Sequence, residues 1–241
     1  MLSKEIVLKE TEIKNLIKNS QSKRVITDYL STELAYTSNA IEGNTLTRKE
    51  TALIISKDIT SGSKPLKDYI EAKNHATAFN LVLELSKKKS DIEQDDILRI
   101  HRQILKGIDD DFAGRYRNVS VRIAGSQTVF PNSAKVYALM SDLIENIRAD
   151  NSAAICKAAK AHLNFVSIHP FIDGNGRTAR LLLNLILLKN KLLPIIIRPQ
   201  DRKHYIDVIE EAQTTKNAQN YFKFIFSVHL RSMKFYLRMF K

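Results

Sequence analysis

The stretch His169-Pro170-Phe171-Ile172-Asp173-Gly174-Asn175-Gly176-Arg177-Thr178-Ala179-Arg180 decides the fold. It joins two apolar helical patterns. Upstream, residues 153–168 place Ala154, Ala158, Ala161, Phe165 and Ile168 at helical spacing, and Pro170 disfavours helix at His169. Downstream, residues 177–189 carry Leu181, Leu182, Leu183, Leu185, Ile186, Leu187 and Leu188 almost all round, the pattern of a buried helix. Arg177, Arg180 and Asn184 interrupt it at i, i+3 and i+7, so they share one stripe. A core helix does not bury arginines without an anion.

The loop offers that anion a place. Gly174-Asn175-Gly176 lies at a helix N-terminus, where N–H groups lack intrahelical partners and the dipole favours negative charge. The glycines let a phosphate approach the backbone, and Arg177 and Arg180 add charge-assisted hydrogen bonds. Asp173 can hold Mg²⁺, which takes one carboxylate, phosphate oxygens and water. His169 is the side chain here that exchanges a proton near neutral pH. Together these residues suit attack by a hydroxyl on a nucleotide phosphate. Asp-Gly-Asn-Gly alone is a common turn; the flanking His and two Arg separate it from one. A calcium loop fails, because Asn184 stands where a bidentate Glu is needed, and no Walker A pattern occurs.

The stretch resembles the signature of the Fic family, H-P-F-x-D/E-G-N-G-R-x-x-R, at every fixed position. Gly114-Arg115-Tyr116-Arg117 is similar to a segment that precedes the family's flap. Residues 194–212, with Gln200-Asp201-Arg202 and Tyr205, resemble the segment after the signature helix. Ser38-Asn39-Ala40-Ile41-Glu42-Gly43 matches the family's inhibitory motif, S/T-x-x-x-E-G/N. The resemblance implies a protein adenylyltransferase using ATP and Mg²⁺. It makes His169 the catalytic base and Asp173 the metal ligand, with Gly174, Asn175, Gly176, Arg177, Thr178, Ala179 and Arg180 around the phosphates. Tyr205, Ile206 and Gln213 would line the adenine side, and Glu42, braced by Ser38, would pair with Arg180 in the resting state.

Composition sets outer limits. The chain has 241 residues, 44% hydrophobic, enough to bury a full core as one domain over 1–241, with an inhibitory helix at about 22–43. Net charge is +12 and the pI about 9.7, which points to acidic partners. No interleaving of aromatic and basic residues marks a nucleic-acid platform, so solvated helix surfaces account for the lysines better. Cys156 is the only cysteine, which rules out an intrachain disulfide. No apolar run reaches membrane length and no secretory h-region opens the chain, so no membrane partner and a cytoplasmic location are expected.

Along the chain, residues 3–19 predict a helix with Ile6, Ile13, Leu16 and Ile17 as its stripe, and a second runs from about Ser22 to a stop at Gly43. Glu42 then sits in a last turn whose dipole disfavours it. Thr47 and Glu50 read as a capping box, Ser90 and Glu93 as another, and Pro65 suits the start of a helix reaching about Lys89. His101 reads as a packing or hydrogen-bonding histidine. Residues 118–130 change period: Val119, Val121 and Ile123 alternate with Ser120 and Arg122, Gly125-Ser126 breaks the run, and Val129 and Phe130 follow. This predicts a β-hairpin. The resemblance implies that it is the flap, with Ala124, Gly125, Ser126 and Gln127 lining the nucleotide pocket and a target loop added as a strand. The last helix, residues 217–241, carries an aromatic stripe suited to the core or a dimer face.

The expected fold is therefore all-α, a Fic-type bundle with one β-hairpin. The expected reaction is AMP transfer to a Ser, Thr or Tyr hydroxyl on an extended loop of a protein target, with self-modification and a homo-oligomer left open. Removal of AMP from a modified protein uses the same residues and is one alternative. A basic nucleic-acid-binding regulator with an inactive Fic domain is another.

Overall fold

The helix at 175–189 is buried on all sides, and the rest of the chain is arranged to cover it. The computed structural model describes residues 4–16, 20–60 and 62–239. Among the described residues ten α-helices follow one another: α1 (Lys4–Leu16), α2 (Ser20–Ile41), α3 (Arg48–Lys57), α4 (Leu66–Lys87), α5 (Gln94–Leu105), α6 (Val136–Ala149), α7 (Ala154–Ile168), α8 (Asn175–Lys189), α9 (Arg202–Thr215) and α10 (Gln219–Met239). Short 3₁₀ turns at Ser133–Lys135 and Pro199–Asp201 lead into α6 and α9.

Leu182, Leu185 and Leu187 of α8 are wholly buried. α7 packs along α8 as an antiparallel hairpin through the 169–174 loop, α4 and α5 cover its other side, and α2 lies across α4. α6 flanks α7, and α1 and α9 lie on α10. One continuous apolar core runs from Ile6 to Leu237, with a smaller cluster of Leu46, Ile54, Tyr69 and Ala72 under α3. The loop between the two central helices is thereby rigidly based at both ends.

Most expected helices are present with ends shifted by a few residues. Ile17 and the outermost residues of the first and last predicted helices lie outside the described residues. Thr47 and Glu50 form the expected capping box. The second one moves: Glu93 caps α5 with Asp96, whose carboxylate accepts the Glu93 N–H at 3.1 Å, while Ser90 precedes the helix.

The β-hairpin is not formed; no strand occurs among the described residues. The alternation at 119–130 does not mark a buried face, since Val119, Ile123 and Val129 all reach solvent, Val129 at 84% exposure. An isolated pair of strands with no covered face is marginal. The turn at Gly125 (φ +79°) is present, with Ser126 N–H donating to Ile123 O at 3.1 Å, but no ladder bond joins the two arms among the described residues. Side chains of α9 hold the segment instead. The Glu210 carboxylate accepts from Ser126 Oγ (2.9 Å) and Gln127 N–H (2.6 Å), and Gln213 Oε1 accepts from Thr128 Oγ1 (2.9 Å).

Candidate active site

α7 ends at His169, whose φ of 50° lies in the left-handed region, and Pro170 turns the chain away. The loop is then closed by its own residues. Asn175 Oδ1 accepts the Phe171 N–H at 2.9 Å and its Nδ2 donates to Phe171 O at 2.8 Å. The Asn175 side chain is thus committed to the loop. Asp173 Oδ1 takes the Gly174 N–H at 2.6 Å. The first i→i−4 bond of α8 runs from Thr178 N–H to Gly174 O, so the N–H groups of Asn175, Gly176 and Arg177 precede the helical ladder. Thr178 and Ala179 are fully buried beneath them.

His101 braces this loop from α5. Its Nδ1 accepts the Gly114 N–H at 2.9 Å, which assigns the proton to Nε2, the donor to Asp173 O at 2.9 Å. Its ring lies flat on Phe171, with centroids 3.5 Å apart. Burial holds the imidazole neutral, its pKa lowered to about 4. The expected bonding role of His101 is therefore realised. Gly174, at φ +75°, passes so close to this ring that a Cβ would crowd it.

Arg177, Arg180 and Asn184, the stripe on α8, find separate partners. Asn184 bonds the Ile195 backbone twice, at 3.2 and 2.9 Å, and takes no part in an anion site. Arg177 Nη1 donates to Glu71 Oε1 of α4 at 2.9 Å, and its Nη2 stands 3.4 Å from both Asp173 oxygens. Glu71 also accepts from Asn44 Nδ2 at 2.9 Å. Sequence reading missed Glu71. The signal was there, because Asp68, Glu71 and Asn74 form a polar i, i+3 row on a helix otherwise buried by Tyr69, Ala72 and Ala76.

Arg180, 7% exposed, donates through Nη2 to Glu42 Oε1 at 2.7 Å and to Ser38 O at 2.9 Å, and through Nε to Ser38 Oγ at 2.9 Å. Ser38 thus holds the arginine rather than the carboxylate. Arg202 Nε donates to Ile41 O at 2.6 Å, tying α9 to the end of α2 beside Glu42. The Glu42 carboxylate lies directly over Gly176, where any Cβ would overlap it. A carboxylate thus lies against Gly176 at the start of α8, held there by Arg180.

Tyr205 is buried. Its hydroxyl bonds Arg180 and lies 2.7 Å from His162 Nε2, while His162 Nδ1 lies 2.8 Å from the Tyr221 hydroxyl. Tyr221 donates to Ala159 O at 2.9 Å, so Tyr205 donates to His162 and His162 to Tyr221. Ile206 reaches solvent and Gln213 is half-buried, bonded to Thr128 and Ser167. Ala124, Gly125 and Gln127 are exposed and Ser126 half-buried, above α9.

His169 carries a pKa lowered to about 4, first by burial, with the Arg117 charge adding to the effect; a hydrogen bond to Val166 and the Glu42 and Asp173 carboxylates oppose it. Its ring stacks on Phe130 at 4.2 Å. Asp173 is largely exposed at the mouth. Among the described residues no group of three His, Cys, Asp or Glu could hold a metal ion.

The match of residues 91–187 to the model of the Fic/DOC family spans α5 to α8 and takes in this whole loop. The chain belongs to the Fic/DOC family. A protein named protein adenylyltransferase Fic from Nematostella vectensis is 36% identical over 188 residues, 73% of this chain and 42% of that protein. Protein adenylyltransferase fic-1 from Caenorhabditis elegans is 35% identical over 175 residues, 70% of this chain and 34% of that one. The chain spans less than half the length of these curated relatives. Among solved structures, a Fic domain containing signaling protein from Bacteroides thetaiotaomicron superposes with a TM-score of 0.89 at 25% identity, covering 98% of this chain and 96% of that one. A fragment of Fic-1 from C. elegans gives 0.86 at 27%, covering 98% and 72%. No helix among the described residues of this Fic chain is long and apolar enough to cross a membrane.

Proposed function

We propose that this chain transfers AMP from ATP to a hydroxyl on a protein side chain. The observation that carries the reading is the Glu42 carboxylate lying over Gly176 and bonded to Arg180, an anion seated at the open start of α8, one loop away from His169. The name shared by the relatives supports it.

In the transfer step the target oxygen attacks the α-phosphorus of ATP and the bond from that phosphorus to the β-phosphate oxygen breaks. Pyrophosphate leaves, and the hydroxyl proton passes to His169, which is neutral at pH 7 and so free to accept it. The N–H groups of Asn175, Gly176 and Arg177 bind phosphate oxygens at the positive end of α8. Arg180 takes the γ-phosphate once Glu42 yields it. Asp173 would hold Mg²⁺, which supplies positive charge for the leaving pyrophosphate. Tyr205, Ile206 and Gln213 of α9, with residues 124–127 above them, frame the adenine. The extended 118–130 segment receives the target loop; a hydroxyl of this chain or of a second copy would enter by the same route. Ser38 and Glu42 together restrain Arg180 and hold the chain at rest.

A second reading is favoured by the seat of Glu42. A carboxylate over the cradle could also orient water for removal of AMP from a modified protein. One experiment separates them: wild type and Glu42→Gly are each incubated with α-labelled ATP and a protein extract, and separately with AMP-modified protein. Stronger labelling by Glu42→Gly, lost in Glu42→Gly/His169→Ala, supports transfer. AMP removal by wild type alone supports the reverse reaction. Neither activity in either protein would overturn both.

A further inference from the structure

Arg117 has no part in the chemistry described above, yet it is among the most deeply engaged cations of the molecule. It lies in the loop between α5 and α6, is 3% exposed, and forms no ion pair among the described residues. Every hydrogen bond of its guanidinium goes to a backbone carbonyl. Nε donates to His169 O at 2.8 Å, Nη1 to Val119 O at 2.8 Å, and Nη2 to Pro131 O at 2.6 Å and Ile168 O at 3.4 Å. Its own N–H donates to Pro170 O at 2.9 Å.

These partners fall in two places. Ile168 and His169 are the end of α7, where carbonyls lack helical donors and the dipole favours a cation. His169 has a left-handed backbone, which is unfavourable for a residue with a Cβ and persists only when its surroundings enforce it. Val119 and Pro131 are the two ends of the extended segment. Pro131 is joined to Phe130, whose ring lies on the His169 imidazole, 4.2 Å away at 29°. One planar fork therefore fixes the backbone of His169 and the aromatic wall behind its ring.

We propose that Arg117 is a positioning residue for His169, tying the end of α7 to both ends of the 119–131 segment so that the imidazole stands where a hydroxyl is delivered. The assignment rests on the role of His169 as the base in the reading above. The charge of Arg117 works in the same direction. Three charged groups bear on the imidazole: Arg117 from this loop, Glu42 from the end of α2 and Asp173 from the loop before α8. The arginine favours the neutral ring that a base requires, and the two carboxylates oppose it.

Two substitutions divide geometry from charge. Arg117→Lys keeps the charge but loses the fork, and Arg117→Met loses both. Each is made in a Glu42→Gly chain and read at pH 7.5 in two ways: the kcat and KM for AMP transfer, and the nuclear Overhauser contact between the His169 and Phe130 rings, identified by its loss in His169→Ala. With Lys, kcat falls about 10–100-fold and the ring contact weakens while KM for ATP stays within about twofold, as expected for a displaced base. With Met, kcat falls further and the ring contact weakens likewise. The ring contact does not depend on AMP transfer, so absent transfer in the parent counts against the proposed function while the contact still decides Arg117. A folded Met variant whose kcat and ring contact match the parent overturns the assignment. Should the Met variant not fold, a Lys variant with parental kcat and ring contact overturns it equally.

Discussion

Arg180 of α8 and Glu42 at the end of α2, 138 residues apart in the chain, meet through a 2.7 Å hydrogen bond. Ser38 completes the seat with its hydroxyl and its carbonyl, and Arg202 secures the helix end beside it. A negative group at a helix C-terminus opposes the dipole, so Glu42 gains by finding this cation. The same cation lies on the face of α8 that opens toward the cradle. In the proposed function a phosphate competes with this carboxylate for the guanidinium.

Glu42→Gly should therefore raise AMP transfer about 10-fold or more, the scale of a 1.4 kcal/mol shift. The pair is more than a third exposed on the Glu42 side, which places it below the several kcal/mol of a fully buried pair. Initial rates of protein labelling, including self-labelling, over a range of ATP concentrations measure the effect. Equal rates for the two proteins would leave the bond as a structural contact alone.

His169→Ala should abolish transfer while ATP binding stays nearly intact, because in the proposed function the imidazole serves the hydroxyl and the arginines and helix amides serve the phosphates. Loss of a general base costs about 10²–10⁴-fold in rate. Calorimetric ATP titration beside the labelling assay checks both halves. Unchanged labelling would remove His169 from the role.

The loop and its two helices were legible because an apolar helix carrying two arginines has few solutions. The seat of Glu42 was legible through the resemblance alone; no local pattern in 22–43 names a partner so far along the chain. Glu71 was missed since a carboxylate on a mostly buried helix reads as solvated until its neighbour is known. The hairpin was misread for a physical reason: period-two alternation signals a strand only when one face is covered, and here Val119, Ile123 and Val129 are not. Glu210 and Arg117, polar groups from elsewhere, hold the segment extended instead. Tyr205 shows a further limit, because half-buried packing and a hydrogen-bonded hydroxyl between Arg180 and His162 look alike in sequence.

Asp173→Ala should lose activity together with its Mg²⁺ requirement. The side chain stands exposed in the loop, Oδ1 taking the Gly174 N–H at 2.6 Å and Oδ2 engaged only by Arg177 at 3.4 Å. Labelling rates against free Mg²⁺ provide the measurement, and a variant that keeps the normal magnesium dependence would send the search for the ligand elsewhere.

Acid should destabilise this protein well before its carboxylates titrate. His75, His101 and His162 are almost completely buried, with pKa values lowered to about 3, 4 and 3, in each case chiefly by burial. Unfolding returns each to about 6.5. Below that value the unfolded chain binds protons that the native one cannot, so the contribution is complete above pH 6.5 and is lost as pH falls. Between pH 7.5 and 5 each group forfeits about 2 kcal/mol, and the figure hardly depends on whether the folded value is 3 or 4, since both lie below the window. Three such groups together remove about 6 kcal/mol, comparable with the whole stability of a typical domain. Thermal melts at pH 7.5 and pH 5.0 should differ by roughly 10–25 °C for a chain of this size. Among the described residues no other residue bonds the ring nitrogens of His75, so His75→Leu removes one proton from the linkage without stranding a partner, and its melts should fall by about a third less. A melting temperature that stays within about 2 °C over this range, well under the shift from even one such group, would mean that these histidines meet solvent in the native state.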